Sequence, residues 1–142
     1  MEISDDDYQR LLTFRTGLRH FLQWSEEQAV SVGLTAAQHQ LLLAVRGSTT
    51  DGGPPIGELS EALLLKHHST VGLVDRVESA GLVRRRRDLA DKRVVRVKLT
   101  AKGDRLLERL AEAHLEELEQ LAPVLRSLVR RSRVSEEGAA AR

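Results

Sequence analysis

Apolar residues recur at helical spacing from Asp5 to Val32. Tyr8, Leu11, Leu12, Leu18, Leu22, Ala29 and Val32 make one stripe, and Phe14, Phe21 and Trp24 add a second. One long helix with two apolar faces needs two packing partners, for example the rest of its own chain and another subunit. Gly33 ends it. Thr35 opens a second helix as its N-cap, and Gln38 stands where a capping box places its side chain. Leu41, Leu42 and Val45 carry a buried face on to about Gly47, and the Gly/Pro/Ser/Thr-rich stretch 48–55 is a loop. A third helix runs from about Ile56 to Leu64, with Leu59 and Leu63 one turn apart and Pro55 setting its start. After Leu65-Lys66, a fourth helix spans about His67 to Ala80. Thr70, Leu73, Val74 and Val77 form its inner face, and Gly81 caps its end.

The period then changes from helical to two. Val95, Val97 and Leu99 alternate with Arg96 and Lys98, the pattern of a half-buried strand with its polar face outward. With a first short strand and an Asp-rich turn before it, this makes a β-hairpin. Two short helices, a tight turn and a hairpin compose a winged helix-turn-helix. Thr100 caps a fifth helix carrying Leu106, Leu107, Leu110, Leu118 and Leu121. Pro123 is expected to break it, leaving a short last helix from Val124 to about Arg133. The fold class expected is therefore mainly α with a small β wing. Its parts are a long N-terminal helix (1–33), a winged module (34–100, its second helix about 67–80, wing about 82–99), C-terminal helices (101–134) and a loose tail (135–142).

Charge changes the picture most at the hairpin. Ser79 to Thr100 carries eight Arg and Lys against two Asp, a local +6 in a chain whose total is +1. A field of that sign and density suits a phosphate backbone. The bland reading is a charged hairpin that protects a sheet edge. Aromatic residues make up only 3% of the chain, too few for a stacking surface that binds single strands. The absence of cysteine excludes disulfides and thiol-based sensing. The start, MEISDDDYQR, is acidic and unlike a signal peptide, and no apolar run reaches membrane-spanning length. The expectation is a cytoplasmic protein that does not engage a membrane.

The order of residues from Leu73 to Gly103 is the most specific feature. LVDRVESAGLVRRRRD, then DLADKR, then VRVKLTAKG resemble the "DRLE-GLV-R" run, the D-x-R wing and the "LT-KG" helix start of the MarR (multiple-antibiotic-resistance regulator) family of transcription factors. Leu34-Thr35, Gln38 and Leu41-Leu42 add a weaker match. The resemblance implies a homodimer in which the first, fifth and sixth helices interlock and each winged module reads half of a palindrome in double-stranded DNA. Relatives of this kind usually act as repressors that release DNA on meeting a small aromatic or phenolic effector. On that footing His67, His68 and Ser69 meet base edges at the start of the recognition helix. Gly72 and Arg76 lie on its outer face, Gly72 where many relatives carry a long side chain and Arg76 as a phosphate contact. Arg93 enters the minor groove, whose negative potential selects a guanidinium. Asp91 supports it by pinning Arg93 or the turn. Of the four consecutive arginines about two face DNA, taken as Arg84 and Arg86, with Lys92 beside them. The others pair with Asp88 or with acids of the fifth helix. Leu89 replaces the Pro common at this tip, which loosens the turn.

Candidate effector contacts are His20, Trp24 and His39, each polar-tipped, although packed core is the commoner fate of such residues. A metal-sensing variant would draw on His20, His39, His114 and Glu26 or Glu27. Their spacing is not that of a compact ligand set, so no metal and no cofactor is assigned. No nucleophile–base pair or phosphate loop supports an enzyme. The alternative to a regulator is a winged-helix interaction module without specific DNA binding.

Overall fold

The computed structural model describes residues 1–140, with side chains through residue 129. Its elements in order are α1 (Asp5–Ser31), α2 (Ala36–Gly47), α3 (Ile56–Leu63), α4 (His67–Ser79), β1 (Val83–Arg87), β2 (Val95–Leu99) and α5 (Ala101–Ala140). Residues 28–111 form one compact unit, and residues 1–27 with 112–142 form another.

The unit 28–111 holds the core. The α2 capping box is complete: the Gln38 amide donates to Thr35 Oγ1 and the Thr35 amide to Gln38 Oε1, both at 3.1 Å. Leu41, Leu42 and Val45 of α2 pack with Ile56 and Leu59 of α3, Leu73, Val74 and Val77 of α4, Val83 and Val97 of the hairpin, and Leu107 and Leu110 of α5. The helical members repeat at three and four residues, so each helix offers one stripe to a common centre. Burial of each such aliphatic side chain contributes about 1.5–3 kcal/mol.

The turn between α3 and α4 is set by Leu64, which adopts the left-handed conformation at φ 54°. Its amide donates to the Glu61 carbonyl and that of Leu65 to the Ser60 carbonyl, so the last carbonyls of α3 are satisfied. Thr70, fully buried, locks the angle: its Oγ1 donates to the Lys66 carbonyl at 3.1 Å and accepts from Ser60 Oγ at 2.9 Å. Gly81, at φ 77°, closes α4 and turns the chain into β1.

β1 and β2 are antiparallel, from Val83↔Leu99 to Arg87↔Val95. The loop 48–55 does more than connect. Its Pro54 carbonyl accepts from the Val97 amide at 3.0 Å, and Pro55 bridges Arg96, so β2 is flanked on both sides. The approach is so close that a Cβ on Gly53 would lie 2.5 Å from the Val97 carbonyl oxygen.

In the unit 1–27 with 112–142, Ser4 and Asp7 cap α1 reciprocally. Arg10 Nη2 donates to the Leu128 carbonyl at 3.0 Å, tying α1 to α5. Tyr8, Leu11, Leu12, Phe14, Leu18 and Leu22 of α1 remain exposed, as do Leu115, Leu118, Val124, Leu125 and Val129 of α5.

Two sequence expectations need correction. α5 is one helix with Pro123 inside it, not two helices broken there. Proline costs one hydrogen bond and crowds the preceding turn, about 3 kcal/mol. The residues on both sides (ELEQLA before, VLRSL after) hold no second Pro and no Gly, so the helix is interrupted at one hydrogen bond only. The helix also runs through most of the expected 135–142 tail, of which residues 141 and 142 lie outside those described. The second correction concerns β2. Arg96 does not face outward as the alternation predicts, since its side chain is only 20% exposed. Loop 48–55 covers that face of the strand, a contact between distant segments that period-two counting cannot register.

Candidate nucleic-acid interface

Helix α4 presents His67, His68 and Ser69 exposed at its first turn, followed by Gly72, Asp75 and Arg76 along the outer face. His68, Ser69, Gly72, Asp75 and Arg76 share a side because positions three and four apart on a helix are neighbours. Thr70, Leu73, Val74 and Val77 hold the opposite side in the core. Gly72 has an ordinary helical backbone, and the nearest atom to a Cβ there would be Arg76 Nη1 at 3.6 Å. Hence the Arg76 guanidinium folds back over the bare glycine.

Strand β1 is fastened to this helix by Arg85. Its Nη1 donates to Glu78 Oε1 at 2.8 Å, its Nη2 to Asp75 Oδ1 at 2.6 Å, and its backbone amide to Glu78 Oε2 at 2.8 Å. A further bond from Nη2 reaches the Val71 carbonyl at 3.3 Å. The backbone amide of Arg85, more than its charge, holds the Glu78 carboxyl below the ordinary carboxylate range, against the opposing pull of burial. The sequence expectation paired the non-DNA arginines with Asp88 or acids of α5. Arg85 instead takes the acids of α4. Four arginines in a row look alike in sequence, and only the packing of β1 on α4 singles one out.

The register puts Arg84 opposite Lys98 and Arg86 opposite Arg96. These four therefore share one face of the hairpin, and like charges directly opposite one another are unfavourable. Arg96 is neutralised by Asp88 through Nε–Oδ1 at 2.9 Å, and its Nη1 donates to the Gly53 carbonyl at 3.0 Å. Arg84, Arg86 and Lys98 stay exposed. Arg85 and Arg87 take the other face, and Arg87 donates to the Lys92 carbonyl at 3.1 Å.

At the tip, Asp88 organises the turn where a proline would be common. Its Oδ2 accepts from the amides of Ala90 and Asp91, at 3.1 and 2.8 Å, while Oδ1 holds Arg96. The Arg96 bond and then the Asp91 amide keep its carboxyl below the usual value. The turn is thus fastened by hydrogen bonds without the proline ring. Asp91 grips Arg93 in a fork: Oδ1 accepts from Arg93 Nε at 3.0 Å and from its amide at 3.1 Å, and Oδ2 from Nη2 at 3.1 Å. The Arg93 bonds lower the Asp91 carboxyl, and the same pairing raises Arg93. Arg93 is nonetheless 91% exposed, so a fixed guanidinium stands clear of the wing. Lys92 is exposed beside it, and Leu89 fully so.

The candidate effector residues fall in different surroundings. His39 is buried in the unit 28–111. In the other unit His20 is exposed, while Trp24 meets the His114 ring edge-on at 4.8 Å and Phe21 at 5.9 Å. Ser25 Oγ and His114 Nε2 lie 2.7 Å apart. His114 as the partner of Trp24 was not legible, because the two are ninety positions apart in the sequence. Among the described residues no group of three or more His, Asp or Glu could hold a metal ion.

Comparison with known proteins bears on this arrangement. The profile of the MarR family matches residues 32–94, which span the helix-turn-helix and most of the wing. Over those residues the chain is similar to the MarR family. A helix-turn-helix transcriptional regulator of Bacillus subtilis, the uncharacterized YsmB, is 37% identical over 70 residues, covering 49% of this chain. The match spans about half of that relative's length, 48%. The solved structure of a MarR family protein from Bacillus stearothermophilus is similar at 27% identity, with a TM-score of 0.73 over 93% of this chain and 97% of that one. MepR of Staphylococcus aureus, in its complex with DNA, shares the fold at 18% identity, with a TM-score of 0.68 over 98% of this chain and 99% of that one. YsmB and MepR are transcription regulators. No helix among the described residues is long and apolar enough to cross a membrane.

Proposed function

We propose that this chain is a ligand-responsive, homodimeric transcriptional repressor that binds a palindromic operator in double-stranded DNA. The observation that carries the reading is the pairing of two presentations on one module. Arg93 stands exposed on a wing tip held by Asp88 and Asp91, and the wing is fastened through Arg85 to a helix whose polar first turn is free. A guanidinium suits the negative potential of a narrow minor groove, while His67, His68 and Ser69 offer donors and acceptors to base edges in the adjoining major groove. Arg84, Arg86 and Lys92 add phosphate contacts, which position the module without reading sequence. The exposed apolar residues of α1 and α5 supply the surface for a second copy. Such a regulator works in the cytoplasm, where its operator is. A small aromatic or phenolic effector wedged among the dimer helices would change the spacing of the two recognition helices away from one DNA turn, about 34–36 Å. Coupling of about 1–3 kcal/mol is sufficient for induction.

Selection of bound sequences from random duplex DNA tests the reading. A palindrome with half-sites one helical turn apart is expected, with affinity falling steeply as salt rises. Arg93→Ala should then weaken operator binding by about tenfold or more in a mobility-shift titration while the dimer persists. Equal binding to every sequence would turn the reading toward an interaction module, and release by phenolic compounds tests the effector arm.

A further inference from the structure

We propose that Gly72 and Arg76 form a single base-reading unit, in which Arg76 identifies a guanine in the half-site instead of holding a phosphate. The inference rests on the proposed operator binding and goes beyond it.

Three observations support it. First, the Arg76 guanidinium lies over Gly72, with Nη1 at 3.6 Å from the position a Cβ there would take. Side chains of a helix lean toward its N-terminus, so Arg76 reaches back one turn along the stripe that includes His68, Ser69 and Gly72. Its planar fork thus occupies the place where a side chain of residue 72 would otherwise stand. Second, the acidic residues nearest to it in the sequence, Asp75 and Glu78, are engaged elsewhere. Arg85 takes Asp75 at 2.6 Å and Glu78 at 2.8 Å, drawing both toward the wing. Third, Arg76 is exposed and makes no ion pair among the described residues. A guanidinium left unneutralised on the face directed into the major groove, at the level of the helix's second turn, has the geometry for bidentate donation to guanine O6 and N7. The glycine makes this possible. A long side chain at 72 would cover the seat, so the apparent weakness of the recognition surface is the space for its reader.

The test uses the full-length protein and the operator obtained by selection, with every single base-pair variant of one half-site. Arg76→Lys keeps the charge but not the fork. It should abolish the guanine preference at one base pair per half-site, a loss of about tenfold or more, and leave the other positions and the salt dependence unchanged. Gly72→Met, which fills the seat, should erase the same preference without removing any charge; circular dichroism and thermal melting confirm that both variants fold. A uniform loss across all variants on Arg76→Ala, together with near-native specificity of Arg76→Lys, would mean a phosphate contact and overturn the inference alone. A native protein indifferent to sequence would overturn it together with the regulator reading.

Discussion

Gly103 shows how much one residue can decide. A Cβ there would lie 2.0 Å from the Leu82 carbonyl oxygen, which also accepts from the Thr100 amide at 3.0 Å. The start of α5 is thus pressed against the end of the helix-turn-helix, with Thr100 Oγ1 accepting the Gly103 amide at 3.1 Å as a cap. In an isolated helix alanine is better than glycine by about 1 kcal/mol. Here the backbone would have to separate, so Gly103→Ala is expected to destabilise by about 2–4 kcal/mol, read as a lower midpoint in urea denaturation. A gain in stability would mean that α5 does not sit on Leu82. The sequence displayed this glycine within LTAKG, since its motif is local. It did not display Leu64, whose left-handed backbone resides in a residue type that ordinarily avoids it. It also gave no means of separating Arg85 from its three neighbours, because the partners Asp75 and Glu78 are selected by packing across a turn.

At the scale of elements, the wing and α4 behave as one piece because carboxylates join them. Glu78 is held below its ordinary range first by the Arg85 amide, and Asp88 first by Arg96. A carboxyl whose folded pKa is lowered favours folding above its unfolded value, and that contribution is lost as pH falls through the folded value. The wing should therefore stay ordered from neutral pH down through the ordinary carboxylate range, about pH 4, and loosen only below it. Glu78→Gln should flatten this acid limb. Hydrogen exchange at the amides of 83–99, followed against pH, checks both; wing protection that fades already near neutral pH would contradict the carboxylate origin. Helices α1 to α4 and the second strand were legible to within one or two residues from caps, glycines and the change of period, whereas the expected break at Pro123 and the loose tail were not what α5 does. What escaped was contact between elements. Pro54 paired beside β2 and Arg96 sheltered beneath the loop 48–55 both depend on segments some forty positions apart.

For the whole molecule the telling contrast is between the two units. Residues 28–111 enclose a continuous core, whereas the unit 1–27 with 112–142 leaves a row of large apolar side chains in water. The two apolar stripes of α1 announced this in the sequence, since one chain can cover only one of them. Leu12, 64% exposed, and Leu18, 45% exposed, lie on the surface of their own chain, and circular dichroism checks that charging them leaves it folded. If a second copy covers this face, Leu12→Glu with Leu18→Glu buries unpaired charge at the interface and splits the dimer. Sedimentation equilibrium should then give half the native mass, and thermal melting should become independent of protein concentration. Operator affinity should collapse further than either half-site contact explains, because tethering two modules raises their effective concentration on the palindrome. A double variant that keeps the native mass and the native affinity would place the partner elsewhere. One that becomes monomeric yet still binds a single half-site weakly would separate the two roles, assigning assembly to α1 and α5 and recognition to α4 and the wing.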